Sequence, residues 1–171
     1  MSTAFDDGSA RSGTATPVPF TLIDIGTQQT RVMTGFGAAP DATMDLALGS
    51  VATAEQFFKL DPPAPHELES AIDAVEDEVM RARTMIPAQS VFFAGGAALD
   101  ELGRAAGATG EKEAIPLEAV EQLFQRLASA SLGDPIARRG LPTGNPFAAT
   151  ELILREFMHH LGFVSITFPV Q

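Results

Sequence analysis

Cysteine is absent from the chain, which excludes disulfides, a thiolate metal site and a cysteine nucleophile and accords with a cytoplasmic protein. Basic residues are scarce: 11 Lys and Arg stand against 22 Asp and Glu, a net charge of −11. Nucleic-acid phosphates would be repelled by such a surface, so no nucleic-acid partner is expected. The few cations are scattered, the closest being Arg81 with Arg83 and Arg138 with Arg139. No apolar run approaches the roughly 18 residues of a membrane span. The start of the chain also lacks the basic region and apolar core of a signal peptide. A cytoplasmic protein with no membrane partner is the expectation.

What is present describes a globular unit. The 171 residues are 45% hydrophobic and 19% charged, enough for one domain or one lobe of a larger design. Residues 1–17 are mostly small and polar and read as a flexible tail, leaving 18–171 as a single folded lobe. Three strands are predicted in succession, at about 20–25, 30–36 and 44–48, the last from the alternation of Met44, Leu46 and Leu48 with Asp45 and Ala47. Gly26, Thr27, Gln28 and Gln29 form the corner between the first two.

A short helix follows at about 53–59, with Thr53 and Gln56 at capping-box spacing. A long amphipathic helix at 66–84 buries Leu68, Ile72, Val75 and Val79. Its outer face carries Glu67, Glu69, Asp73, Glu76, Asp77 and Glu78, a pattern that suits a solvated helix face. A strand at 90–94 ends in Gly95-Gly96 before a helix at 97–106. Residues 107–115 read as a loop, Pro116 as the first residue of the next helix, and 134–144 as a second loop. The final helix, 146–161, is apolar nearly all round and should be the most buried. Gly162 stops it before a last strand at 163–168. The class is α/β: three antiparallel strands, then parallel strands joined by right-handed crossovers, with helices packed on the sheet.

Three groups of residues are candidates for chemistry. Asp24 interrupts an apolar strand, where a carboxylate needs a metal, a cation or backbone N–H groups; it could equally be a strand-end Asp that accepts from the turn. Gly95 and Gly96 precede a helix N-terminus, where free N–H groups could meet an anion, or the pair could simply let the chain turn tightly. His159 and His160 are adjacent, so they point about 100° apart and cannot ligate one metal from one face. They read as helix-end histidines that complement the dipole. No Gly-x-Ser-x-Gly elbow marks a triad.

Four pieces together resemble a known family. "LIDIGTQQT", "DLALGSVATAEQFF", "VFFAGGAALDEL" and "RRGLPTGNPFAATELILREFMHHLGFVSITF" are similar, in order and spacing, to the second lobe of the exopolyphosphatase/guanosine pentaphosphate phosphohydrolase (Ppx/GppA) family. That family belongs to the actin-like ATPase (sugar kinase/Hsp70) superfamily. The resemblance implies a ribonuclease H-like lobe and a phosphate-binding loop. Asp24, Gly26 and Thr30 stand at the family's Asp, first Gly and Thr, with Gly95 and Gly96 at its second glycine loop.

The departures fall in the same loop. Thr27, Gln28 and Gln29 replace Gly, Gly and Ser, and Arg31 stands where the family has Glu. Thr143, Gly144 and Asn145 correspond loosely to its Arg-Ala-Asp. The family's other lobe, with the first phosphate loop and water-activating Glu, is expected to be missing from this chain. The residues therefore support a degenerate lobe acting as a binding or assembly module, in a homodimer or with a separate partner lobe. The alternative is a phosphoanhydride hydrolase completed in trans. There Asp24 would hold Mg²⁺, while Thr30 and the Gly95-Gly96 amides would bind polyphosphate or a nucleotide and Arg31 would neutralise phosphate charge. A third possibility is an unrelated α/β domain that shares only the pattern.

Overall fold

Alternation of side chains along the central strand divides the molecule into a packed side and an open side. In the computed structural model, which describes residues 18–107 and 114–167, β1 (Pro19–Ile25) points Thr21, Ile23 and Ile25 inward. Leu22 and Asp24 lie on the opposite face. β2 (Thr30–Phe36) pairs antiparallel with β1 and buries Thr30, Val32 and Thr34 on the same inner side. β3 (Ala42–Leu46) pairs antiparallel with β2. β4 (Val91–Gly95) joins β1 in parallel, and β6 (Ser165–Thr167) joins β4 in parallel. The order across the sheet is β3-β2-β1-β4-β6-β5, with the antiparallel meander and parallel crossovers that the sequence predicts.

Helices cover the inner face. α1 (Ser50–Phe57), α2 (Pro65–Ala82), α3 (Ala97–Ala105) and α4 (Leu117–Ser131) all pack against α6 (Asn145–Leu161). Leu152, Ile153, Leu154, Phe157 and Met158 of α6 are fully buried, so this helix is the spine of the core. Gly162 ends it at φ 76°, a left-handed cap that favours glycine. Phe163 then stacks on Phe92 of β4 with ring centroids 4.2 Å apart. The outer face is covered less: Phe20, Leu22, Met33 and Phe93 are half-buried, and Asp24 and Arg31 are exposed.

Several expectations need correction. β5 (Ala114–Pro116) lies at the end of the stretch expected to be a loop, and the rest of that stretch, 108–113, is outside the described residues. β5 pairs antiparallel with β6, Ile115 opposite Ile166, and Pro116 closes this edge strand instead of opening α4. Three residues are too few for a periodic signal, and proline is tolerated at an edge. The second expected loop contains a single helical turn, α5 (Pro135–Arg138). Asp134 caps it by accepting from Ile136 N and Ala137 N at 2.8 and 3.3 Å.

α1 begins at Ser50, three residues before the predicted capping box, and Thr53 is buried within it. β3 ends at Leu46, with Leu48 buried beyond it. The last strand is shorter than predicted, and its final expected residue, Phe168, lies outside the described residues, as does the expected tail at 1–17.

Two acids break the simple amphipathic picture. Glu67, expected on the outer face of α2, is buried and accepts from Ala64 N and Lys59 N at 2.8 Å each. The Ala64 bond, with the Lys59 bond behind it, holds its carboxyl below the ordinary range against the opposing effect of burial. α6, apolar nearly all round in the sequence reading, carries Glu151 and Glu156 fully into the interior. Glu156 is paired with Arg155 and, at 2.9 Å, with His160. Glu151 has no hydrogen-bond partner for either oxygen among the described residues. Burial raises its pKa well above the usual carboxylate value, with Arg155 pulling the other way.

The folded chain therefore keeps a Glu151 proton that the unfolded chain, titrating at about 4.3, releases. The stability due to this proton is complete below that value and falls as pH rises toward the folded one. Replacing Glu151 by the apolar isostere Met removes both the unsatisfied group and this slope. Glu151→Met is expected to raise stability at neutral pH by about 1–3 kcal/mol. In urea titrations its advantage over wild type should widen from pH 4 to pH 8; an advantage constant with pH would mean that Glu151 is not held protonated.

Candidate phosphate-loop site

Strand register sets the site. Cα pairing puts Asp45, Arg31, Asp24 and Gly95 in one row across β3, β2, β1 and β4. Directly paired residues share a face, so this row lies on the open side of the sheet. Asp24 is accordingly exposed. The desolvation cost inferred from its apolar neighbours in sequence does not arise, because those neighbours point to the other face.

Gly96 lies against Asp24. It has φ 108° and caps the N-terminus of α3. A Cβ there would stand 3.0 Å from Ile25 O and 3.1 Å from Asp24 Oδ1, so close approach and backbone angle both call for glycine. Gly95 is different: a Cβ would meet nothing nearer than Ile23 O at 4.0 Å.

The structure brings Asp24, Arg31, Gly95 and Gly96 together but commits two of the candidate residues elsewhere. Arg31 Nε donates to Asp45 Oδ1 at 2.8 Å and Nη2 to Oδ2 at 3.3 Å. The Asp45 hydrogen bond, followed by its charge, raises the Arg31 pKa, and the Arg31 hydrogen bond in turn lowers that of Asp45. Thr30 is fully buried on the helix side, and its hydroxyl donates to Leu48 O at 2.7 Å. Asp45 was missed by sequence reasoning. Alternation places it on the open face of β3, but only register reveals that it faces Arg31.

The corner itself turns carbonyls outward to α1. Gly26 N donates to Gln29 O at 3.0 Å, which closes the turn. Ser50 N donates to Gly26 O at 2.9 Å, and Val51 N and Ala52 N both donate to Thr27 O at 3.0 Å. These are amides that a helix N-terminus would otherwise leave free for an anion. The fit is close at Gly49, where a Cβ would lie 2.4 Å from both Thr27 O and Gln28 C.

No group of three or more His, Asp or Glu side chains is placed to hold a metal among the described residues. Asp24 has Arg31 and Gly95 as its strand neighbours, not a second acid, and Asp45 already accepts from Arg31. This donor set does not by itself form a Mg²⁺ site. His159 and His160 lie at the other end of the strands. With Arg83, Gln89, Ser90 and Phe163 they line a cleft of about 570 Å³. There His160 meets Glu156 and Glu76, and His159 meets Glu121 at 3.6 Å.

The architecture matches about half of several solved structures. It superposes on a Ppx/GppA phosphatase of Aquifex aeolicus with a TM-score of 0.70 and 14% identity, covering 89% of this chain and 53% of the other. An exopolyphosphatase from Cytophaga hutchinsonii gives 0.66 and 13%, covering 90% and 54%. An exopolyphosphatase-like protein gives 0.68 and 12%, covering 94% and 58%. This chain thus spans about half the length of the solved structures it matches. No family model and no curated protein sequence matches it. At these identities the likeness shows the fold.

The corner yields a direct test. Gly49→Ala forces a methyl into the Thr27-Gln28 backbone and is expected to cost about 1–3 kcal/mol in urea denaturation. Gly95→Ala, which has open space, should fold with near wild-type stability. Equal effects at the two positions would refute the close approach at Gly49.

Proposed function

We propose that the chain is a catalytically degenerate Ppx/GppA-like lobe that works as a binding or assembly module, with a second copy or a separate partner lobe. The observation that carries this reading is the state of the former phosphate loop. Its backbone presents carbonyls to α1, the α1 amides are consumed by them, and the one added cation is held by Asp45. Phosphoryl transfer depends on positioned amides and cations around the phosphate, and here the Gly26 amide, the first α1 amides and the Arg31 cation are bonded within the chain. No helix among the described residues is long and apolar enough to cross a membrane, and we place the module in the cytoplasm.

The second reading is an exopolyphosphatase-type hydrolase completed in trans by another lobe and Mg²⁺. It is favoured by one observation: exposed Asp24 beside Gly96 at the start of α3. Polyphosphate or a nucleotide would be its ligand.

Thermal shift separates the two. A ligand present at 100 times its dissociation constant stabilises a protein by about 2.7 kcal/mol, a readily visible rise in melting temperature. The module reading predicts no rise with millimolar polyphosphate or ATP with Mg²⁺, and no phosphate release by the chain alone. A rise that disappears in Asp24→Asn would establish a surviving phosphate site and overturn it.

A further inference from the structure

The cations of this acidic chain are gathered unevenly. Four of its 11 basic residues, Lys59, Arg126, Arg138 and Arg139, lie along a rim formed by the turn after α1, the second half of α4 and α5, which bonds from Arg126 and Arg138 tie together. Arg138 Nη2 holds Asp61 Oδ1 at 2.8 Å, and Gly144 N donates to the other oxygen of Asp61 at 2.9 Å. Arg126 Nη2 donates to Arg139 O at 3.1 Å, and Lys59 Nζ to Glu55 O at 3.3 Å. Carbonyl oxygens satisfy donors without cancelling charge. Lys59, Arg126 and Arg139 form no ion pair among the described residues. The nearby carboxylate of Asp134 accepts from the α5 amides and keeps its charge, so the rim carries two acids, Asp61 and Asp134, against four cations.

The same rim exposes apolar side chains. Leu60, Leu132 and Ile136 are 59%, 79% and 74% accessible. Single exposed aliphatic residues are ordinary, but three beside four cations form a surface with the composition of a contact site.

The complementary surface is on the chain itself. Glu69, Asp73 and Asp77 recur at i, i+4 and i+8 along the outside of α2, exposed and without an ion pair among the described residues. They span about 12 Å of helix, and half-buried Met80 lies within the same stripe. On a chain of net charge −11, the basic rim is where a second copy's acidic surface is attracted instead of repelled.

We propose that the rim around Leu60, Ile136 and Arg139 is a docking surface for a second copy of this chain, which presents the Glu69–Asp73–Asp77 stripe of α2. The inference rests on the assembly reading and deepens it by naming the partner and both surfaces. The contact is heterologous, so each copy keeps one unused rim or stripe, and assembly continues to a ring or an open chain.

Complementation tests it with the full chain. Wild type should associate in sedimentation runs at low salt and dissociate at high salt, where surface charges are screened. A rim variant, Ile136→Asp with Arg139→Glu, should be monomeric, as should a stripe variant, Asp73→Lys with Asp77→Lys. Both changes are on exposed side chains, and unchanged melting temperatures confirm that the variants fold. Mixed together, the two variants should double in mass and go no further, because one intact rim meets one intact stripe.

Variants that still associate alone, or a mixture that stays monomeric while wild type assembles, would overturn the surfaces named here and leave the assembly reading standing. A wild type monomeric at low salt would overturn the self-docking as a whole, leaving that reading only a separate partner lobe.

Discussion

The contact between the β1–β2 corner and the start of α1 governs the rest of this lobe. Three successive α1 amides point at two corner carbonyls, and Gly49 has no Cβ because the Thr27-Gln28 backbone occupies its place. That contact fixes where α1 leaves the sheet and hence where α6 can pack against it. It also satisfies a helix N-terminus internally, and backbone groups so satisfied are no longer a site for an anion. The fold of a Ppx/GppA-like lobe is present, with the first α1 amides turned toward the corner.

The charged residues around the sheet follow the same economy. Arg31 lies between Asp24 and Asp45 in a row set by strand register and makes its bidentate bond to Asp45. On the packed side, Glu67 is buried with two backbone donors, whereas Glu151 is buried with none. These two acids have opposite pKa shifts because one exchanges water for N–H groups and the other for hydrocarbon. The cations on the α4–α5 rim are the exception: most are left without a carboxylate, on a chain otherwise dominated by acids.

Much of the fold was legible because long elements repeat their signal. Period two along β1 and β2, and Leu68, Val75 and Val79 along α2, define elements that local sequence can reveal. β5 was not legible, since three residues carry no period and Ile115 is placed by pairing with Ile166. α5 left a trace in Asp134 and Pro135, a cap followed by a first-turn proline, but one turn is too short to show an apolar face. Of the site, Gly96 and Asp24 were legible as neighbours of special backbone. The bond from Arg31 to Asp45 and the burial of Thr30 were not, since both depend on which strand lies beside which.

The sequence by itself determined the secondary structure of the long elements, the acidic balance and the Thr27-Gln28-Gln29 corner. These are properties of single residues and their near neighbours. Tertiary structure decided that Asp24 faces open space, that Arg31 is held by Asp45, and that the corner gives carbonyls to α1. A strand's two faces are chemically equivalent until a helix covers one of them. A backbone amide is likewise free or spent according to what the fold brings within 3 Å of it. For that reason the stretch around Asp24 is in the folded chain an exposed corner whose Gly26 and Thr27 carbonyls hold the start of α1.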